Sequence, residues 1–170
     1  MGVEDYGLVM KPSPERKITK ESILSTLLNI GFKQYDESYK FKNEITFALY
    51  NDNGIIEVLL VYEENYVEYI NFRFSVCQPI SIIDVFFTII TKLMKEHHML
   101  IHESYSLVIY DENSDLSELS KQILNKVKHL KSNWIKMFQG DDEEVIIHVG
   151  KTWGYFMKKH PSLFKKMPTL

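Results

Sequence analysis

Hydrophobic and polar positions change period several times along the chain, and each change marks an element. Residues 6–10 form a short apolar segment closed by Pro12 and Pro14. This predicts an edge strand, because proline has no N–H to give a central ladder. Thr19 then precedes Ile23, Leu24, Leu27, Leu28 and Ile30 at helical spacing, with Gly31 as the stop. Beyond it the period falls to two. Ile45, Phe47 and Leu49 share one side of 39–50, and Ile70, Phe72, Phe74 and Val76 share one side of 66–77. Residues 55–62 between them are nearly all apolar, the pattern of a strand covered on both sides. Asn51-Asp52-Asn53-Gly54 and Glu63-Glu64-Asn65 supply the two turns. The three segments predict an antiparallel meander.

Pro79 stops the last of these strands, and Ser81 with Asp84 has the spacing of a capping box for a helix running to about 96. A fourth strand is predicted over 104–110. Asp115 and Glu118 then cap the longest helix, whose stripe is Leu116, Leu119, Ile123, Val127, Leu130, Trp134 and Met137, with Gly140 as its end. The stripe reads as core-facing, with a dimer seam as the alternative. Residues 145–149 predict a short strand before a tail rich in aromatics. The fold class expected is α+β: an antiparallel sheet of four to six strands around a central three-stranded meander, with two or three helices packed on it. Residues 1–170 are expected to form a single domain, with loosely tied ends at about 1–16 and 160–170. The order of elements from Thr19 to about Phe138 resembles that of bacterial secretion-chaperone-like folds. That resemblance concerns order alone and implies no site residue.

Composition narrows the function. Hydrophobic residues make up 45 % of the chain and charged residues 25 %, ordinary values for a globular protein. The formal net charge of −3 speaks against nucleic acid as a partner. The apolar run at 80–90 is broken by Ser81, Asp84 and Thr88 and is too short to span a membrane. One cysteine, Cys77, leaves no intramolecular disulfide framework and suits a reducing, cytoplasmic setting. The N-terminus shows no signal-peptide pattern.

Candidate chemistry is sparse. A phosphate loop, a dinucleotide glycine fingerprint, a serine elbow and a paired-cysteine motif are all missing, so no cofactor and no catalytic residue is expected. His97, His98 and His102 cluster with Glu96 and Glu103, which offers a metal-binding or small-enzyme alternative. Their spacing matches no recognised metal motif, and histidines near a helix C-terminus also serve as favourable caps. Cys77 at a strand end reads as a small buried residue, not a nucleophile. The tail interleaves Lys151, Lys158, Lys159, Lys165 and Lys166 with Trp153, Tyr155, Phe156 and Phe164. That pattern suits nucleic acid or a membrane surface, or, more simply, aromatics docked on the core with lysines facing water.

The meander carries the strongest hint. Residues 43–72 hold no base and six acids: Glu44, Asp52, Glu57, Glu63, Glu64 and Glu68. Acids beside tyrosines can grip a basic protein, although charge at sheet edges also serves to block edge pairing. The candidate partner-binding residues are therefore Glu57, Glu63, Glu64, Glu68, Tyr62 and Tyr66. The function expected is a non-enzymatic, protein-binding module of the immunity type that occludes a basic partner or toxin. The alternatives are a chaperone or adaptor dimerising through the long helix, and the His97–His102 enzyme or metal protein. A monomer and a homodimer both fit.

Overall fold

The computed structural model describes residues 5–34, 43–51, 54–76, 78–102 and 108–138, with side chains omitted at Asp5, Asn51, Trp134, Ile135, Met137 and Phe138. Cys77, Glu103, Gly140, the 145–149 segment and the basic aromatic tail lie outside these residues. The elements run β1 (Asp5–Pro12), α1 (Lys20–Ile30), β2 (Lys33–Gln34), β3 (Glu44–Asn51), β4 (Gly54–Glu63), β5 (Tyr66–Ser75), α2 (Ile82–His97), β6 (Met99–His102), β7 (Ile109–Tyr110) and α3 (Ser117–Phe138). All strand pairs are antiparallel, and the sheet has seven strands in the order β2-β3-β4-β5-β1-β6-β7. The fold is α+β with three helices, and the sheet is slightly larger than the four to six strands expected. The strands not expected are β2, of two residues, and β6, of four, each too short to show a period.

Strand alternation sends one set of side chains to the helices. A row across the sheet pairs Phe47 with Val58, Val58 with Phe72, and Phe72 with Leu8. The next row runs Ile45, Leu60, Ile70, Met10, Ile101 and Tyr110. Onto these rows α2 presents Ile82, Phe86, Ile89, Ile90 and Leu93, all buried. Phe86 sits 5.2 Å from Phe74 and 5.9 Å from Phe72 in tilted and edge-on contacts, and Tyr6 lies 5.6 Å from Phe74. From α1, Ile23 and Leu27 join the same cluster, as do Leu119, Ile123 and Val127 of α3. The α3 stripe is therefore core-facing as far as Leu130, which packs against the cluster while half-buried.

Three expectations need correction. Residues 6–10 are not an edge strand. β1 pairs with β5 on one side and β6 on the other, and Pro12 closes its end without breaking either ladder. The β5 ladder covers Asp5–Met10 and the β6 ladder covers Val9–Pro12. Residues 99–101, the expected exit from the helix that ends near 96, belong to β6; residues 104–107 of the expected fourth strand lie outside the described residues, and Ile109–Tyr110 form β7. Ser81 makes no side-chain cap, so the capping box does not form. The N–H groups of Ile82 and Ile83 instead donate to the carbonyls of Pro79 and Ile80 at 3.0 Å, which leaves the hydroxyl without that task. At α3 half of the expected cap is present: Asp115 Oδ1 accepts from the Ser117 N–H at 2.9 Å, while Glu118 accepts from Gln122 within the helix.

The β3–β4 hairpin is fastened by a residue with no sequence signature. Asn51 pairs with Gly54 across a two-residue loop, so the N–H and C=O of Ile55 turn away from β3. The buried Gln78 amide meets both. Its Oε1 accepts from the Ile55 N–H, and its Nε2 donates to the Ile55 carbonyl at 2.9 Å. Gly54 has φ of 135°, and a Cβ there would lie 1.8 Å from Gln78 Oε1. Gly54→Ala is therefore expected to destabilise the fold by about 2 kcal/mol or more through strain and lost hydrogen bonds. Gln78→Ala should cost about 1–3 kcal/mol. Because both act on one contact, denaturant titration of the double mutant should show less than the sum. Full additivity would contradict the clamp.

Candidate protein-binding surface

The β4–β5 turn forms one wall of a cleft of about 600 Å³. Glu63, Glu64, Tyr66 and Glu68 line that wall, so four of the six sequence candidates come together. The opposite wall comes from the end of β1 and the segment after it, and carries Lys11, Arg16 and Lys17. All six charged side chains are exposed. Tyr66 is 39 % exposed, the most open tyrosine of the group.

Backbone bonds fix the two walls. The Val67 N–H donates to the Ile18 carbonyl, and the Lys20 N–H to the Asn65 carbonyl, both at 2.9 Å. Thr19 bridges Tyr66, which starts α1 on the turn itself, and Arg16 N–H donates to the Ser13 carbonyl at 2.9 Å. Two cation–π contacts reinforce the seam. Lys20 Nζ lies 4.4 Å from the Tyr62 ring and Lys17 Nζ lies 5.1 Å from the Tyr66 ring. Both candidate tyrosines thus already have a cation of the same chain over a ring face.

A bulge shapes the acidic wall. Val61 pairs with Tyr69 but Tyr62 pairs with Val67, leaving Glu68 as the extra residue. Strict alternation places Glu68 in register with Tyr66, Ile70 and Phe72. The bulge breaks that register, sends Val67 inward and leaves Glu68 in solvent. The cause is energetic, because an unpaired carboxylate inside an apolar core is far more costly than one kink. Glu64 takes φ of 53° in the turn, a left-handed position that suits glycine or asparagine.

Glu57 lies elsewhere. It is six residues back along β4, roughly 20 Å from Glu63 at strand rise. There it accepts from Arg73 Nε on the paired strand. Burial, and secondarily the Glu57 carboxylate, push the Tyr50 phenol well above its ordinary range.

The three histidines separate. The His97 ring lies between the first two helices, with Ser22 Oγ 3.2 Å from Nδ1 and Thr26 Oγ1 2.7 Å from Nε2. Thr26 also donates to Glu96 at 3.4 Å, and Glu96 pairs with Lys92. His98 caps α2 in a left-handed conformation, φ 52°, and its Nδ1 meets Glu112 at 2.7 Å. His102 pairs across the sheet with Val9. Among the described residues no group of three or more His, Cys, Asp or Glu side chains is placed to hold a metal ion. No helix among them is long and apolar enough to cross a membrane. The basic wall of the cleft, Gln78 and the Ser22–Thr26–His97 contacts were not legible in the sequence, since each joins segments distant along the chain. Comparisons with protein-family models, curated proteins and solved structures find nothing that matches this chain.

Burial, ahead of all other influences, lowers the His97 pKa from 6.5, with the Glu96 carboxylate opposing and Lys92 and His98 assisting. The unfolded chain therefore binds this proton more readily than the folded one. Stability conferred here is present above pH 6.5 and is lost as pH falls through 6.5 toward the lower folded value. His102 shifts the same way through burial and Lys11. The melting temperature should fall between pH 7.5 and 5.5, and His97→Gln should reduce that fall; equal slopes in both proteins would contradict it. A second expectation concerns the strained turn. Glu64→Gly should raise stability by about 1 kcal/mol in denaturant titration by relieving the left-handed glutamate. A loss of stability would mean that the Glu64 side chain helps to hold the turn.

Proposed function

We propose that this chain is a non-enzymatic protein-binding module, resident in the cytoplasm, that engages its partner through the cleft at the β4–β5 turn. The supporting observation is that Glu63, Glu64, Glu68 and Tyr66 line one cleft on a backbone-bonded seam. The partner offers a basic group to the acidic wall. The concrete form of this reading is an immunity-type protein that covers a cationic patch of a toxin or similar partner. Exposed acids of this kind act chiefly on the association rate and on register. The partly open Tyr66 ring adds aromatic contact area to the surface.

The test is site-directed capture in the full-length protein. A photo-crosslinking residue at position 64 should trap a basic protein in the source cell, while one at the exposed Lys128 of α3 should not. The trapped protein, once purified, should bind wild type. It should bind Glu63→Lys/Glu64→Lys/Glu68→Lys about tenfold more weakly or worse, with the melting temperature nearly unchanged. Equal binding by the triple mutant, or an acidic trapped partner, would overturn the proposal.

A further inference from the structure

The cleft holds two rows of opposite charge that do not meet. Lys11, Arg16 and Lys17 stand on one wall and Glu63, Glu64 and Glu68 on the other. Among the described residues no ion pair joins the two rows. The backbone bonds from Val67 to Ile18 and from Lys20 to Asn65 hold the two segments that bear the rows beside each other. Three carboxylates against three cations make the cleft neutral as a whole and strongly dipolar within it. Both rows act on an occupant of the cleft, because the walls of one cleft lie within a Debye length, about 8–10 Å, of whatever fills it.

A partner group of one sign gains from one wall and is opposed by the other. A segment that carries a base beside an acid, presented in matching order, gains from both. Resting on the reading that this cleft is the binding surface, we infer that the recognised element is a mixed-charge segment. Its lysine or arginine faces Glu63, Glu64 and Glu68, and its aspartate or glutamate, or a chain-terminal carboxylate, faces Lys11 and Arg16. Lys17 already lies over the Tyr66 ring. The cationic wall is thus part of the recognition surface, and it rejects a partner that is only basic.

The experiment reads a sign. Labelled eight-residue peptides of alternating lysine and glutamate, of lysine alone and of glutamate alone are titrated into the full chain at low ionic strength. Anisotropy gives affinity, and amide chemical shifts locate the contact. The alternating peptide should shift residues 11–17 and 63–68 together. Lys11→Glu/Arg16→Glu should weaken its binding about fivefold and tighten octalysine binding by a similar factor, with the melting temperature unchanged. The inference is overturned if the double mutant binds the alternating peptide as well as or better than wild type. If octalysine then shifts 63–68 in wild type, the acidic wall keeps its role and only the mixed-charge reading falls. If no peptide shifts either wall, the cleft itself is not the binding surface.

Discussion

Phe86, held between Phe72 and Phe74, is the contact on which the rest of this structure turns. It fixes α2 against β5, and β5 is the middle strand of seven. Burying a ring of this size contributes roughly 1.5–3 kcal/mol, and its edge-on contacts add to that. The consequence reaches the far end of the strand. With Ile70, Phe72 and Phe74 committed to the core face, strict alternation carries the Glu68 carboxylate inward. The Glu68 bulge resolves the conflict locally, beside the turn that bears Glu63 and Glu64. The acidic wall of the cleft is thus a by-product of keeping one charge out of an aromatic core.

The parts of the fold visible in the sequence are those decided by neighbours in the chain. Gly31 ends α1 in the left-handed conformation expected of it, and the alternation of Phe47, Ile70 and Phe72 marks the meander. What was not visible depends on pairing. Five apolar residues before two prolines look like an edge until β6, some ninety residues later, is seen to pair with them. Met99 to His102 is four residues long, too few to separate a strand from the end of a helix. Glu68 could not be placed outside the alternation, because a bulge exists only relative to its partner strand.

The same limit governs the candidate site. Glu63, Glu64, Glu68 and Tyr66 are close in sequence and are found together. Lys11, Arg16 and Lys17 are about fifty residues earlier, and pairing of Thr19 with Tyr66 brings their segment beside the turn. At the cleft, three acids of the segment that is purely acidic in sequence therefore stand beside three bases. Glu57 shows the same effect, since its neighbour across the strands is Arg73. The physical content of the site has moved from net charge to the arrangement of charge, and arrangement gives specificity more than raw affinity.

The central claim is that the seam between the 11–20 segment and the β4–β5 turn is the surface this protein uses. Amide hydrogen exchange of the full chain, with and without its purified partner, tests this most directly. The account predicts added protection in peptides covering 13–18 and 63–68, with the α2 core and the exposed back of α3 unchanged. Protection confined to α2, to α3 or to the outer strands β2 and β7, with the cleft segments unaltered, would contradict it.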